Sequence, residues 1–138
     1  MKNIEEICSK FIKAINGIEP LKRHMSFKDF PSGSCGSSTE IIGTYLKQNG
    51  FGDFQYIEGS TKKIGSHVWA QQGDLIVDIT ANQFPEISNS IIVTTYSEWH
   101  NKFRVNSRHV IDIVGVNENA RFPILPFYKK LCVIVENE

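Results

Sequence analysis

Cys35 is the residue of this sequence whose surroundings best suit a nucleophile, since it lies between Ser34 and Gly36 where a helix is expected to begin. The first turn of a helix has N–H groups without intrahelical acceptors and carries a partial positive charge. Both features favour a thiolate, and the same N–H groups can donate to an oxyanion on a substrate carbonyl. We therefore expect Cys35 to be catalytic, and Ser34 and Gly36 to contact the substrate or its oxyanion. The alternative is an ordinary helix start that happens to contain a thiol.

His67 and Asp78 lie in two apolar runs, 67–70 and 75–79, that predict the strands of a β-hairpin. A tight turn at residues 72–73 would place His67 directly opposite Asp78, with both side chains on one face. A carboxylate in an apolar strand needs a partner that offsets its desolvation, and His67 is the obvious one. Asp78 would then orient the imidazole and stabilise its charged form, as the acid of a catalytic triad does. The alternative is a structural histidine–carboxylate pair.

The order of these residues resembles the transglutaminase-like branch of the papain-like cysteine hydrolase superfamily. In that branch a cysteine at a helix N-terminus is followed by a His-x-Trp strand, here His67-Val68-Trp69, and by an aspartate that ends the next strand, here Asp78. The similarity covers about residues 30–85. It implies that Cys35 is the nucleophile, His67 the base and Asp78 the orienting acid, in a papain-like or transglutaminase-like core of the small bacterial type.

The resemblance implies a cysteine-dependent hydrolase or acyltransferase that acts on an amide, either a peptide bond or a glutamine side chain, through a thioester at Cys35. A catalytically silent member of the same fold that binds a peptide or protein is the alternative. His67 follows Cys35 by only 32 positions, so the long insertion of animal transglutaminases is missing, and cross-linking is not implied. No glutamine shortly precedes Cys35, so the oxyanion hole would depend on backbone N–H groups.

Trp69 alternates with His67 along the strand, and the two side chains should therefore share a face. Two roles are open for Trp69. It could shield the imidazole from water and contact the substrate, or it could be an ordinary core residue. Asn82 and Gln83 follow Asp78 and could line a pocket or cap the strand.

The remaining pattern predicts a single α+β domain over residues 1–138, with N-terminal helices packed on an antiparallel sheet. Apolar residues at steps of three and four from Ile4 to Ile15 predict a first helix that ends at Gly17. A second helix is expected from near Cys35 to Asn49. Short strands are expected near 54–57, 67–70, 75–79, 91–94 and 110–114, a helix start is expected at 97–99, and 127–135 fits a strand or a helix equally well.

Charge and the distribution of apolar residues argue against several classes of protein. The chain of 138 residues has 15 basic and 15 acidic side chains and a formal net charge of zero, which argues against binding of nucleic acid. No apolar run approaches the roughly 18 residues of a membrane helix. The N-terminus is acidic where a signal peptide would be basic, so a cytoplasmic protein is expected. The expected partner is a protein or peptide substrate.

The cysteines and histidines do not follow a metal-binding pattern. Cys8 and Cys132 lie in apolar stretches and should be small buried hydrophobic residues, and no CxxC pair is present. His24, His100 and His109 are scattered and have none of the spacings typical of metal ligands. We therefore expect no metal and no cofactor.

Overall fold

The computed structural model describes residues 3–114 and 123–138. It confirms the predicted α+β class, with helices packed on an antiparallel sheet. The helices and strands, in chain order, are α1 (Ile4–Asn16), α2 (Cys35–Gln48), β1 (Gln55–Thr61), β2 (Gly65–Gln72), β3 (Leu75–Asp78), β4 (Ile92–Thr94), α3 (Glu98–Asn101), β5 (Arg104–Val110) and α4 (Leu125–Glu136). Single 3₁₀ turns lie at Pro20–Lys22, Met25–Phe27 and Ala81–Gln83.

The five strands form one sheet in the order β4-β3-β2-β1-β5, and every neighbouring pair is antiparallel. β2 and β3 are joined by a two-residue turn at Gly73 and Asp74, where Gly73 has a φ of 58°. A tight hairpin turn of this kind requires a positive φ, which glycine adopts without a steric penalty. In the strand order given above, β2 lies at the centre of the sheet, flanked by β1 and β3.

α1 forms because its apolar residues make a single stripe. Ile7, Phe11 and Ile15 are buried on that stripe, while the Asn3 side chain caps the N-terminus by accepting a hydrogen bond from the backbone N–H of Glu6. The helix ends at Gly17, as predicted from the sequence.

α2 begins at Cys35 and has Asn49 as its C-cap, which confirms the predicted second helix. A Cβ atom added at Gly43 would collide with the Ile111 side chain. The absence of a side chain at this position therefore lets the helix lie close against Ile111. This packing fixes the axis of the helix whose first residue is Cys35.

Two groups of buried apolar residues occupy opposite faces of the sheet. The larger core contains residues of α1, α2 and α4, together with sheet residues such as Ala70 and Val77. A smaller group, called here the aromatic cluster, consists of Ile57, Trp69, Ile76, Ala81, Trp99 and Phe103. Neighbouring residues of β2 alternate between the two groups, as the pleat requires.

One segment differs from the sequence-based expectation, and for a second segment the structure decides between the strand and the helix that the sequence allowed. The strand expected at 110–114 is wrong, because the last strand is β5 at Arg104–Val110. Ile111 and Ile113 are buried, which produced the strand-like pattern, but they lie beyond the strand and pack into the larger core. The ambiguous segment 127–135 belongs to helix α4, with Pro126 in its first turn.

No helix within the described residues combines the length and the apolar character needed to cross a bilayer.

Candidate active site

Cys35 is the first residue of α2 and is half-buried. The first hydrogen bond of the helix runs from the Ser38 N–H to the Ser34 carbonyl, at 2.8 Å. The N–H groups of Cys35 and Gly36 therefore precede the first intrahelical donor, and no side chain caps this end. The thiol thus lies beside backbone donors that can receive a developing negative charge.

Ser34 is the N-cap residue of α2, but its side chain makes no capping hydrogen bond to the helix. It is 1% exposed, and its hydroxyl donates to the Pro31 carbonyl at 3.0 Å. The Ser34 side chain therefore holds the loop that leads into Cys35. Its expected contact with the substrate stays a prediction.

His67 and Asp78 are in contact, but their register is not the one expected. β2 and β3 pair Ala70 with Val77, and extending that register by one residue places Asp78 opposite Trp69. His67 and Asp78 are therefore diagonal neighbours, and the prediction that they are directly opposite is wrong because the turn lies one residue further along the chain. This error shifts the register by two residues, so both side chains stay on one face. His67 Nε2 lies 2.7 Å from Asp78 Oδ2.

Asp78 is almost fully buried and is surrounded by hydrogen-bond donors. Its Oδ2 accepts from His100 Nε2 and from His67 Nε2, each at 2.7 Å, and its Oδ1 accepts from the Thr80 backbone N–H at 2.9 Å. Burial opposes the charged form, but the hydrogen bonds from His100 and His67 outweigh it and hold the pKa of Asp78 well below its usual range. Asp78 is therefore an ionised carboxylate in the interior.

The two nitrogen atoms of His67 have different surroundings. Nε2 donates to Asp78, whereas Nδ1 is buried and has no hydrogen-bond partner among residues 3–114 and 123–138. Burial disfavours the imidazolium, but the hydrogen bond to Asp78 and the negative charges of Asp78 and Cys35 outweigh it and raise the pKa of His67 to about 9. Within the described residues no hydrogen bond joins the Cys35 thiol to this ring, so the structure brings His67 and Asp78 together and does not show Cys35 in contact with them. Because Nε2 is held by Asp78, Nδ1 is the ring atom that can exchange a proton with another group.

His100 is the residue of this site that the sequence analysis missed, and its description there as a scattered histidine is wrong. Its Nε2 lies 2.7 Å from Asp78 Oδ2, and its Nδ1 lies 2.6 Å from Ser97 Oγ. Ser97 also accepts the backbone N–H of His100, because it is the N-cap of α3. The helix start predicted at 97–99 was the only local signal near His100. It gives no indication of a partner 22 residues away.

Aromatic rings surround His67. Trp69 shares its face, as predicted, with ring centroids 6.1 Å apart, and the indole Nε1 donates to Gln71 Oε1 at 2.9 Å. Trp69 is only 3% exposed, so it is at once a core residue and a shield of the imidazole. The other rings within about 6 Å of His67, at centroid distances of 5.1, 5.5 and 6.2 Å, belong to Phe84, Trp99 and Phe103.

The two other positions that follow Asp78 are Asn82 and Gln83, for which the sequence leaves open a role in lining a pocket or in capping the strand. Gln83 Nε2 donates to the Thr80 carbonyl at 3.0 Å, which is a capping contact. Asn82 Oδ1 is buried without a hydrogen-bond partner in the described part of the chain.

One group of side chains in the described part of the chain has ligand atoms close enough to surround an ion. His67, Asp78 and His100 each offer one such atom, and these atoms lie within 4.8 Å of one another. Both Nε2 atoms, however, already donate to the same carboxylate oxygen. An ion at this position would replace both of these hydrogen bonds.

A cleft of about 430 Å³ lies next to the aromatic rings that surround His67. Phe84 lines it and also packs edge-on against the His67 ring. Cys35 is not among the residues that line the cleft. These residues are Thr61, Lys63, Ile64, Phe84, Pro85, Glu86 and Lys102.

None of the comparisons with known proteins finds a match: no family model, no curated protein and no solved structure is significantly similar to this chain.

Proposed function

We propose that this chain is a cysteine-dependent hydrolase or acyltransferase that acts on an amide, with Cys35 as nucleophile, His67 as base and Asp78 as the acid that orients the base. The observation that carries the proposal is the asymmetry of His67. Its Nε2 is held by Asp78 at 2.7 Å, while its buried Nδ1 has no hydrogen-bond partner within the described residues and is the atom that would take the thiol proton of Cys35.

The first step would be transfer of the thiol proton to Nδ1 of His67, and because the pKa of this ring is about 9 the resulting pair of thiolate and imidazolium would be the resting form at neutral pH. The sulfur attacks the carbonyl carbon of the amide, an S–C bond forms, and the carbonyl π electrons move to oxygen. When the tetrahedral intermediate collapses, the C–N bond breaks and the imidazolium gives its proton to the leaving amine. Water then attacks the thioester with His67 again as base, releasing the acid, or an amine attacks and becomes acylated.

The electrostatics of the site support this assignment. The pKa of His67 is raised to about 9, so the imidazolium that forms in the first step is stable at neutral pH. The ionised Asp78 stabilises that positive charge, and the N-terminus of α2 stabilises the negative charge on sulfur. The complete set of three residues argues against the alternative of a catalytically silent binding protein.

A papain-like or transglutaminase-like core is part of the same proposal. It is supported by the helix that starts at the cysteine and by the adjacent strands that carry His67 and Asp78. The substrate would be a protein or peptide with an accessible amide. All three cysteines are unbridged, which suits a reducing compartment such as the cytoplasm.

Selective alkylation tests the proposal without knowledge of the substrate. Iodoacetamide at pH 6.5 should modify Cys35 far faster than Cys8 or Cys132, because burial raises the pKa of each of those two thiols. The rate at Cys35, read by mass spectrometry of the peptides, should fall in His67→Gln and stay unchanged in Cys132→Ala.

Equal, slow modification of Cys35 in the native chain and in His67→Gln would overturn the proposed function.

A parallel incubation with EDTA tests the metal alternative. Loss of the histidine effect upon chelation, with recovery on addition of zinc, would make His67 and Asp78 metal ligands instead.

A further inference from the structure

The hydroxyl of Tyr56 lies against the first turn of α2, next to the proposed nucleophile. A Cβ atom added at Gly36 would lie 2.8 Å from Tyr56 Oη and 3.8 Å from Tyr56 Cζ. The phenol therefore points its hydroxyl at the backbone of the residue that follows Cys35. Only a residue without a side chain at position 36 leaves this hydroxyl its present place.

The Tyr56 ring is held in this position by its neighbours in the sheet. β1 pairs Tyr56 with His109 of β5, and their rings are stacked with centroids 4.6 Å apart and an interplanar angle of 20°. A phenol that is packed in this way can direct its hydroxyl without losing much rotamer entropy on substrate binding. This is the preorganisation that transition-state stabilisation requires.

The protonation state of Tyr56 suits a hydrogen-bond donor. Burial, together with the negative charges of Glu40 and Cys35, raises the pKa of Tyr56 to about 12. The phenol consequently keeps its proton at neutral pH. The hydroxyl thus lies as a donor beside the residue that follows Cys35.

We propose, as an extension that rests on the proposed function, that Tyr56 is a catalytic residue whose hydroxyl donates a hydrogen bond to the oxyanion formed when Cys35 attacks a planar acyl group. The S–C bond forms, the carbonyl π electrons move to oxygen, and the Tyr56 O–H and the backbone N–H of Gly36 donate to that oxygen. No proton leaves Tyr56. The tyrosine therefore takes the place of the side-chain donor that the sequence before Cys35 lacks.

The test compares acylation with alkylation of the same thiol in the full chain. p-Nitrophenyl acetate acetylates a thiolate through a tetrahedral oxyanion and releases p-nitrophenolate, whereas iodoacetamide reacts at a saturated carbon where no oxyanion forms. Tyr56→Phe keeps the ring and removes only the hydroxyl. We expect it to slow acetylation of Cys35 by about 100-fold, the typical effect of losing one oxyanion donor, and to leave the alkylation rate within twofold.

Two further variants make the result specific. Gly36→Ala puts a methyl group 2.8 Å from the Tyr56 hydroxyl, which is too close for the hydroxyl to stay in place, and it should slow acetylation in the same way while alkylation continues. Tyr96→Phe is the matched control, because Tyr96 is 67% exposed, and both rates should stay at their native values.

The outcomes separate the inference from the function on which it rests. Native acetylation in Tyr56→Phe would overturn the role of Tyr56, and equal slowing of acetylation and alkylation would show that Tyr56 acts on the thiol and not on the oxyanion. If the native chain neither carries an acetyl group on Cys35 nor releases p-nitrophenolate faster than Cys35→Ala, the proposed function itself is wrong.

Discussion

The two faces of the sheet differ in what they bury. The larger core, on the side of α1, α2 and α4, is closed almost entirely by apolar side chains such as Phe11 and Ile41. The aromatic cluster on the other side is smaller and encloses an ionised carboxylate, Asp78, between His67 and His100. We conclude that the larger core supplies most of the stability, while the aromatic cluster supplies a dry setting in which few polar groups interact strongly.

The cysteines reflect the same division. Cys8 lies in the larger core, where burial raises the pKa of its thiol to about 12, so it is inert as a nucleophile. Cys35 stands at the start of the helix that crosses this core and is half-buried. The same side chain is a buried packing residue at position 8 and, in the proposed function, the nucleophile at position 35, because its surroundings differ.

The largest expected effect is the loss of activity in Cys35→Ala. Acetylation by p-nitrophenyl acetate at this site should disappear, because the atom that forms the thioester is gone. The free energy of unfolding in urea should change by no more than about 0.5 kcal/mol, because a half-buried thiol contributes little packing.

The matched variant in the larger core should show the opposite behaviour. Phe11→Ala removes a fully buried ring and should lower the free energy of unfolding by about 3–5 kcal/mol. The fraction of protein that remains folded should react at Cys35 at the native rate. A Phe11 variant that is stable but unreactive would show that the two faces are not independent.

Asp78→Asn should have the next largest effect, with acylation at Cys35 slowed by about 10⁴-fold, as when the acid of a catalytic triad is made neutral. The amide cannot stabilise the His67 imidazolium, and it offers His67 and His100 an N–H where both now donate to an oxygen. Stopped-flow measurement of p-nitrophenolate release gives the rate. A loss of less than tenfold in a folded variant would contradict the orienting role.

The sequence predicted α1, α2 and the β2–β3 hairpin well because each of them depends on local patterns. The apolar stripe of α1, the glycines around Cys35 and the two apolar runs beside Gly73 lie within single elements. His67 and Asp78 could be paired from the sequence because the hairpin that joins them is short, and the register error of two residues left them on one face.

The remaining features depend on contacts between distant segments. His100 reaches Asp78 only because β3 and α3 meet in the folded chain, and Tyr56 reaches Gly36 only because β1 packs near the start of α2. Burial of Ile111 follows the alternation of a strand, although its backbone N–H donates to Phe54 outside the sheet ladder. No local periodicity distinguishes these cases.

Stability should also depend on pH through His67. Its pKa of about 9 in the folded chain exceeds the ordinary value of about 6.5, so protonation stabilises the fold. This stabilisation is complete below about pH 6.5 and is lost as the pH rises through 9. We expect the free energy of unfolding in urea to fall by about 2–3 kcal/mol between pH 6 and pH 9.5.

Asp78→Asn is the control for this pH dependence, because it removes the main partner of the imidazolium. The fall in its free energy of unfolding over the same pH range should be clearly smaller than in the native chain. An equal fall in both proteins would assign the pH dependence to other groups.

The smallest expected effect concerns His100, which contacts neither Cys35 nor the substrate in the proposed mechanism and is therefore a positioning residue. His100→Leu removes one donor from the buried Asp78 carboxylate, and a hydrogen bond to a charged group contributes about 1.5–3 kcal/mol. Part of that loss should appear as an acylation rate at Cys35 about tenfold below the native rate. A glutamine at this position can still place an N–H near Asp78 Oδ2.

The comparison of His100→Gln with His100→Leu therefore decides what His100 does. If it positions Asp78, the glutamine variant should recover most of the acylation rate and the native pH profile of Cys35 alkylation, while the leucine variant loses both. If His100 only fills space in the aromatic cluster, leucine, which is apolar, should be tolerated at least as well as glutamine. Equal rates and equal pH profiles in the two folded variants would remove His100 from the site and leave Asp78 dependent on His67 and Thr80 alone.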